Sequence, residues 1–233
     1  METFPSLEPL LIVLAGYLAL QLLLNLVIGI YLRSGGRLPV KALKGTFWAG
    51  LANAVYFTVC AALLQIMQLT HKVEPRLGYG LLALIGLPLG PLLWYLVTMG
   101  RKLGQAWFGK SELVPAEDAI LRVPPDSRYI GWGVMNLAVA QPVGRELFLR
   151  AAFLPTVAAV FGWPAAVGAT ALFELATKLN VVWVFQTLAY SLALSLLFIA
   201  TGSALSGLVA AAVAGLIQAT VLFKISGGSL RME

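Results

Sequence analysis

The sequence predicts an all-α, polytopic membrane bundle, and three observations predict it. Of the 233 residues, 60% are hydrophobic and only 11% charged, far from the balance of a water-soluble domain. Several apolar runs reach the roughly 20 residues that a helix needs to cross about 30 Å of hydrocarbon. None alternates polar and apolar residues over ten positions, as a membrane-barrel strand must.

In chain order the apolar runs are Leu10–Leu32, Phe47–Leu69, Leu77–Met99, Ile130–Phe161, Pro164–Thr177, Val181–Ala200 and Gly202–Phe223, about seven spans. The first is expected to stay as an anchor. Its flank, Met1–Pro9, carries Glu2 and Glu8 in place of Lys or Arg, and its apolar run is too long for the core of a signal peptide. The second holds the single cysteine, Cys60, and the loop after it the single histidine, His71. An intrachain disulfide is therefore impossible, and Cys60 reads as a small hydrophobe. One His and one Cys do not assemble a zinc site, and carboxylates alone suit harder ions. Neither a metal nor a cofactor is expected.

After the third run comes the longest polar stretch, Gly100–Arg128. Within it Arg101–Phe108 reads as an interfacial helix, with Trp107 and Phe108 at headgroup level, and Val123-Pro124-Pro125-Asp126 as a turn. This stretch divides the chain into a three-span segment (1–100), a connecting loop (101–129) and a C-terminal block (130–233). The fourth run would measure about 48 Å as one straight helix, so it needs a kink or a tilt. Pro142, Gly144 and Pro155 are the candidate breaks. The last run is rich in small residues, among them Ser206, Gly207, Ala210, Ala211, Ala214 and Gly215, at spacings that allow close helix approach inside the bundle.

Orientation follows from the basic residues. Arg33, Arg37, Lys41 and Lys44 precede the second run, and Arg101, Lys102, Lys110, Arg122 and Arg128 precede the fourth. With seven crossings Lys178, Lys224 and Arg231 share their side, which then collects 12 of the 16 basic residues. That side is expected to be cytoplasmic, with the N-terminus outside. The net charge of +6 is then met by anionic lipid and calls for no nucleic acid.

Ionisable groups at bilayer depth are costly and mark functional sites by default. Three stand together here: Arg145, Glu146 and Arg150. On a helix Glu146 and Arg150 share a face, with the acid on the favourable N-terminal side. Arg145 points about 100° away and needs an acid from elsewhere. Glu174 is the other acid within the apolar runs of the block, and it also stands four residues before Lys178. The expected network is a Glu146–Arg150 pair beside an interhelical Arg145–Glu174 pair, neutral as a whole.

The order of landmarks between Pro142 and Gly215 resembles the CPBP (ABI) family of intramembrane glutamic proteases, which includes the CAAX prenyl-protein endopeptidases. The family carries E-E-x-x-x-R, then F-x-x-x-H, then H-x-x-x-N or H-x-x-x-D after a Thr-Gly-Ser-like turn. Arg145-Glu146-Leu147-Phe148-Leu149-Arg150 resembles the first motif with its leading Glu replaced. Phe173-Glu174-Leu175-Ala176-Thr177 resembles the second with Thr for His. Thr201-Gly202-Ser203 is similar to the turn, but the aligned pair after it is Ala211 and Gly215.

The resemblance implies a helical fold of the CAAX endopeptidase type and roles for four positions. In the family the leading Glu is the base for water, the first His helps hold that water, and the third motif steadies the oxyanion. Arg145, Thr177, Ala211 and Gly215 stand there in this chain. A guanidinium accepts no proton, and Ala or Gly offers no side-chain donor. Glu146 and Arg150 are retained and look architectural. The expectation is a catalytically inactive protein that binds membrane peptides or a partner membrane protein, with its number of copies left open. The alternatives are an endopeptidase rebuilt on Glu146 and Glu174, and a small transporter or channel component.

Overall fold

The computed structural model describes residues 8–34, 39–67, 70, 73–109, 117, 120–121, 127–176 and 183–229. Among them every regular element is helical. Helix α1 is Glu8–Ser34, α2 Pro39–Ile66 and α3 Tyr79–Phe108. A long rod, α4 (127–161), is assembled from α-helical Ser127–Val134, Pro142–Glu146 and Leu154–Phe161, with π-helical turns at Met135–Ala140 and Leu147–Phe153. Then come α5 (Trp163–Ala176), α6 (Val184–Thr201) and α7 (Ala204–Ser229).

Among the described residues four stretches are long and apolar enough to cross a membrane: Leu43–Ile66, Tyr79–Phe108, Val184–Thr201 and Ala204–Ile225. Their outward faces carry large apolar side chains such as Val55, Leu84, Leu196 and Leu216, a surface suited to lipid and an aggregation hazard in water. The chain thus has the architecture of a multi-pass integral membrane protein.

Two expectations about the elements change. Arg101–Phe108 is not a separate interfacial segment; it is the last part of α3. The fourth run is not broken at its prolines either. Gln141, Leu147 and Leu154, at the junctions within α4, all keep right-handed helical dihedrals. A proline lacks an N–H and its ring presses on the carbonyl four residues back. Just before each proline the rod opens into a wider turn, with Gln141 N–H donating to the Asn136 carbonyl and Leu154 N–H to that of Leu149, five residues back. The π turns take up the prolines without interrupting the helix. Thr177, Lys178, His71 and the Val123–Asp126 turn lie outside the described residues.

The main core gathers Leu10 of α1, Phe57 of α2, Phe148, Leu149 and Leu154 of α4, Ala166 of α5 and Phe198 of α6. Phe57 and Phe148 stack with centroids 5.0 Å apart. Cys60 is half-buried and packs against this core. Two close approaches set the position of α4. A Cβ on Gly144 would strike the backbone of Ala54 in α2, and one on Gly215 of α7 would strike the backbone at Leu137 and Ala138. Between helices in lipid, such backbone contact replaces the hydrophobic drive available in water. α3 packs into the C-terminal helices, a Cβ on Gly86 falling 2.6 Å from the Ser206 carbonyl and one on Gly100 falling 2.7 Å from that of Phe185. Thr201-Gly202-Ser203 forms the turn between α6 and α7. Gly202 takes φ +70° as the α6 cap, and Ser203 Oγ accepts from Leu205 N–H to start α7.

Candidate functional site

Glu146, Arg150 and Glu174 are each 0% exposed. Glu146 ends the middle α-helical piece of α4, and the π turn that follows presents Arg150. Arg150 lies between the two acids: its Nη2 is 2.8 Å from Glu174 Oε1 and its Nε 3.5 Å from Glu146 Oε2. The same Nη2 is 3.5 Å from the Ser191 carbonyl of α6. One guanidinium therefore ties α4 to both α5 and α6.

The membership of the ionic group is as the sequence suggests, but the pairing differs. Arg150, not Arg145, makes the interhelical contact with Glu174. Arg145 instead lies over the Tyr190 ring, 5.0 Å from its centroid, with Nε 3.9 Å from Glu146 Oε1. Its side chain keeps 24% of its surface exposed. The physical reason is rotational: Arg145 is one residue from Glu146 and cannot share the face that α4 turns to α5. The two arginines and two glutamates balance as whole charges, as a low-dielectric interior demands.

Tyr190 was not singled out by the sequence. Its hydroxyl donates to Glu146 Oε1 at 2.9 Å while its ring supports Arg145. Tyr190→Phe keeps the ring and removes only that bond. The expected cost is about 1.5–3 kcal/mol, the range for hydrogen bonds to charged groups, measured by equilibrium unfolding in mixed micelles. A loss within a few tenths of a kcal/mol would mean that Glu146 does not depend on the phenol.

Ala211 and Gly215 are closed in. Ala211 is 4% exposed and packs with Leu93 and Leu194, while Gly215 faces the Leu137–Ala138 backbone. No polar side chain is offered from either position.

A second polar network escaped the sequence reading. Arg101 of α3 donates from Nη2 to Glu117 Oε1 at 2.7 Å and from Nε to Gln186 Oε1 of α6 at 3.1 Å. Gln218 of α7 also donates to Glu117 Oε1, at 3.0 Å, and accepts from Trp94 Nε1 at 2.8 Å. These five residues join α3, α6, α7 and the segment around Glu117. The available signal was a lone glutamine inside each of two apolar helices, since a buried amide needs partners. A smaller polar contact, Asn136 Nδ2 to Thr46 Oγ1 at 3.1 Å, links the first π turn to α2.

Among the described residues no three His, Cys, Asp or Glu side chains gather as metal ligands. Neither a family model, a curated protein nor a solved structure matches the chain.

Proposed function

We propose that this chain is a catalytically inactive relative of the CPBP intramembrane proteases that works by binding, recognising membrane peptides or a partner membrane protein as an assembly, regulatory or structural subunit. In this reading the bundle crosses about seven times, with the N-terminus outside and the C-terminus in the cytoplasm, on the side holding most of the lysines and arginines.

The observation that carries the reading is the state of the positions where the motifs would need chemistry. Ala211 is packed among apolar side chains and Gly215 against backbone, so oxyanion donors are missing and the space for them is filled. Arg145 stands in place of a base. An endopeptidase rebuilt on Glu146 and Glu174 has Arg150 against it, because that guanidinium contacts both carboxylates and occupies the oxygens that a general base would have to offer to water.

The test is a panel of single-span and prenylated peptides presented to the purified protein in nanodiscs. Saturable binding of at least one class without any fragment is the expected result, and Glu146→Gln or Glu174→Gln should leave the fragment baseline unchanged. Cleavage that disappears with either Gln variant would overturn the loss of catalysis. A panel with no saturable binder would overturn the peptide-binding role.

A further inference from the structure

Three hydroxyls run down α6 at four-residue spacing: Thr187, Ser191 and Ser195, each 0% exposed. Residues four apart lie on one helix face. Phe198 continues that face and packs into the main core with α4 and α5. The row therefore looks toward the two helices that carry the ionic group, and Arg150 already touches the Ser191 carbonyl.

Hydroxyls inside a helix usually turn back to the carbonyl one turn earlier. Thr98, Thr156, Thr170, Thr201 and Thr220 all do so in this chain, at 2.7–2.8 Å. Thr187, Ser191 and Ser195 break the habit, and none of their oxygens has a hydrogen-bond partner among the described residues. Arg150 Nη1 shares that condition in the same part of the bundle, and Glu146 Oε2 has no hydrogen bond beyond its ion pair with Arg150 Nε at 3.5 Å. Buried polar atoms are rarely left without a partner, because each loses its hydration for nothing in return. Four together, beside a carboxylate oxygen with acceptor capacity to spare, mark a site for a ligand that hydrogen-bonds.

The chemistry of the lining selects the ligand. Arg150 Nη1 only donates, Glu146 Oε2 only accepts, and the three hydroxyls do either. Because the ionic group is neutral as a whole, neither a cation nor an anion is favoured. A small neutral molecule that both donates and accepts fits this set. We propose that water occupies this seam, bridging the α6 hydroxyls to Arg150 and Glu146 as a built part of the interior. Water thereby reaches Arg150 and Glu146, which are each 0% exposed. The proposal is independent of whether the protein binds peptides.

Two measurements test it. Ser191→Ala and Ser195→Ala remove hydroxyls of opposite worth in the two cases. In a wet seam each variant loses bridged bonds, and the melting temperature in detergent is expected to fall by about 2–4 °C. In a dry one it deletes an unsatisfied group, and the temperature stays or rises, which would overturn the proposal. The second measurement is radiolytic hydroxyl-radical labelling in ¹⁸O water of the whole protein in nanodiscs. The α6 segment 187–195 should take up label several-fold faster than Phe57, which is 2% exposed in the apolar core. Equal rates would overturn the assignment even if an alanine variant failed to fold.

Discussion

Arg150→Met is expected to cost about 3–5 kcal/mol of stability, the usual consequence of removing one partner from a buried ion pair. Methionine fills a similar volume, so packing changes little while Glu146 and Glu174 are left buried without the guanidinium between them. The loss reaches three helices at once, because Arg150 is the contact that α4 makes with Glu174 of α5 and with the Ser191 carbonyl of α6. Denaturant unfolding in mixed micelles measures it. The triple variant Arg150→Met, Glu146→Gln, Glu174→Gln removes the uncompensated charges and should recover most of the loss. Recovery should be insensitive to salt, since buried pairs are weakly screened. If Arg150→Met were as stable as the parent, the guanidinium would not be what fastens these helices. Arg145→Met should cost less, because its side chain remains partly exposed and Arg150 still faces Glu146.

Gly144→Ala is the second large effect. Its new methyl would meet the Cα and carbonyl of Ala54, backbone atoms that no rotamer change can clear. α2 and α4 must separate, and the expected penalty is about 1–3 kcal/mol, as for other overpacked sites. Gly168→Ala is the matched control, because a Cβ at Gly168 of α5 finds nothing within 4 Å. There the substitution should stabilise by about 0.5–1 kcal/mol through helix propensity alone. Opposite signs for one chemical change would tie the cost to the α2–α4 contact. A stabilised Gly144→Ala would mean that the two helices do not touch at this point.

Much of the membrane architecture was legible because it depends on local composition. A run such as Leu10–Leu32 must satisfy its own backbone in lipid, and a helix does that within the segment. Elements and the boundaries of α1, α5 and α6 therefore follow to within a few residues. α2 begins eight residues before the apolar run predicted there, and α3 continues through Arg101 to Phe108. Apolar runs report where lipid is, whereas helices continue past it as long as their side chains find partners. Arg101 finds Glu117 and Gln186, residues distant in the chain.

The prolines of α4 illustrate a different limit. Sequence shows that Pro142 and Pro155 strain a helix, but a bend and a widened turn relieve the strain equally well. The choice rests on what the rod packs against. With Gly144 pressed on Ala54 and the backbone at Leu137–Ala138 pressed on Gly215, an uninterrupted helix with widened turns keeps both contacts. The network of Trp94, Arg101, Glu117, Gln186 and Gln218 was hidden for a related reason, since its members come from three helices and a connecting segment.

By itself the sequence determined that the chain folds as membrane helices, and that Arg145, Glu146, Arg150 and Glu174 belong to one neutral group. Composition and the cost of bare charge in oil are enough for both conclusions. Only the tertiary structure decided that Arg150 is the arginine between the two acids, that Tyr190 supports Arg145, and that Ala211 and Gly215 are sealed by neighbouring helices. Those outcomes depend on how α4 is rotated against α5, α6 and α7. That rotation is set by backbone contacts at Gly144 and Gly215 and by the π turns before each proline, contacts between distant residues that no local pattern records.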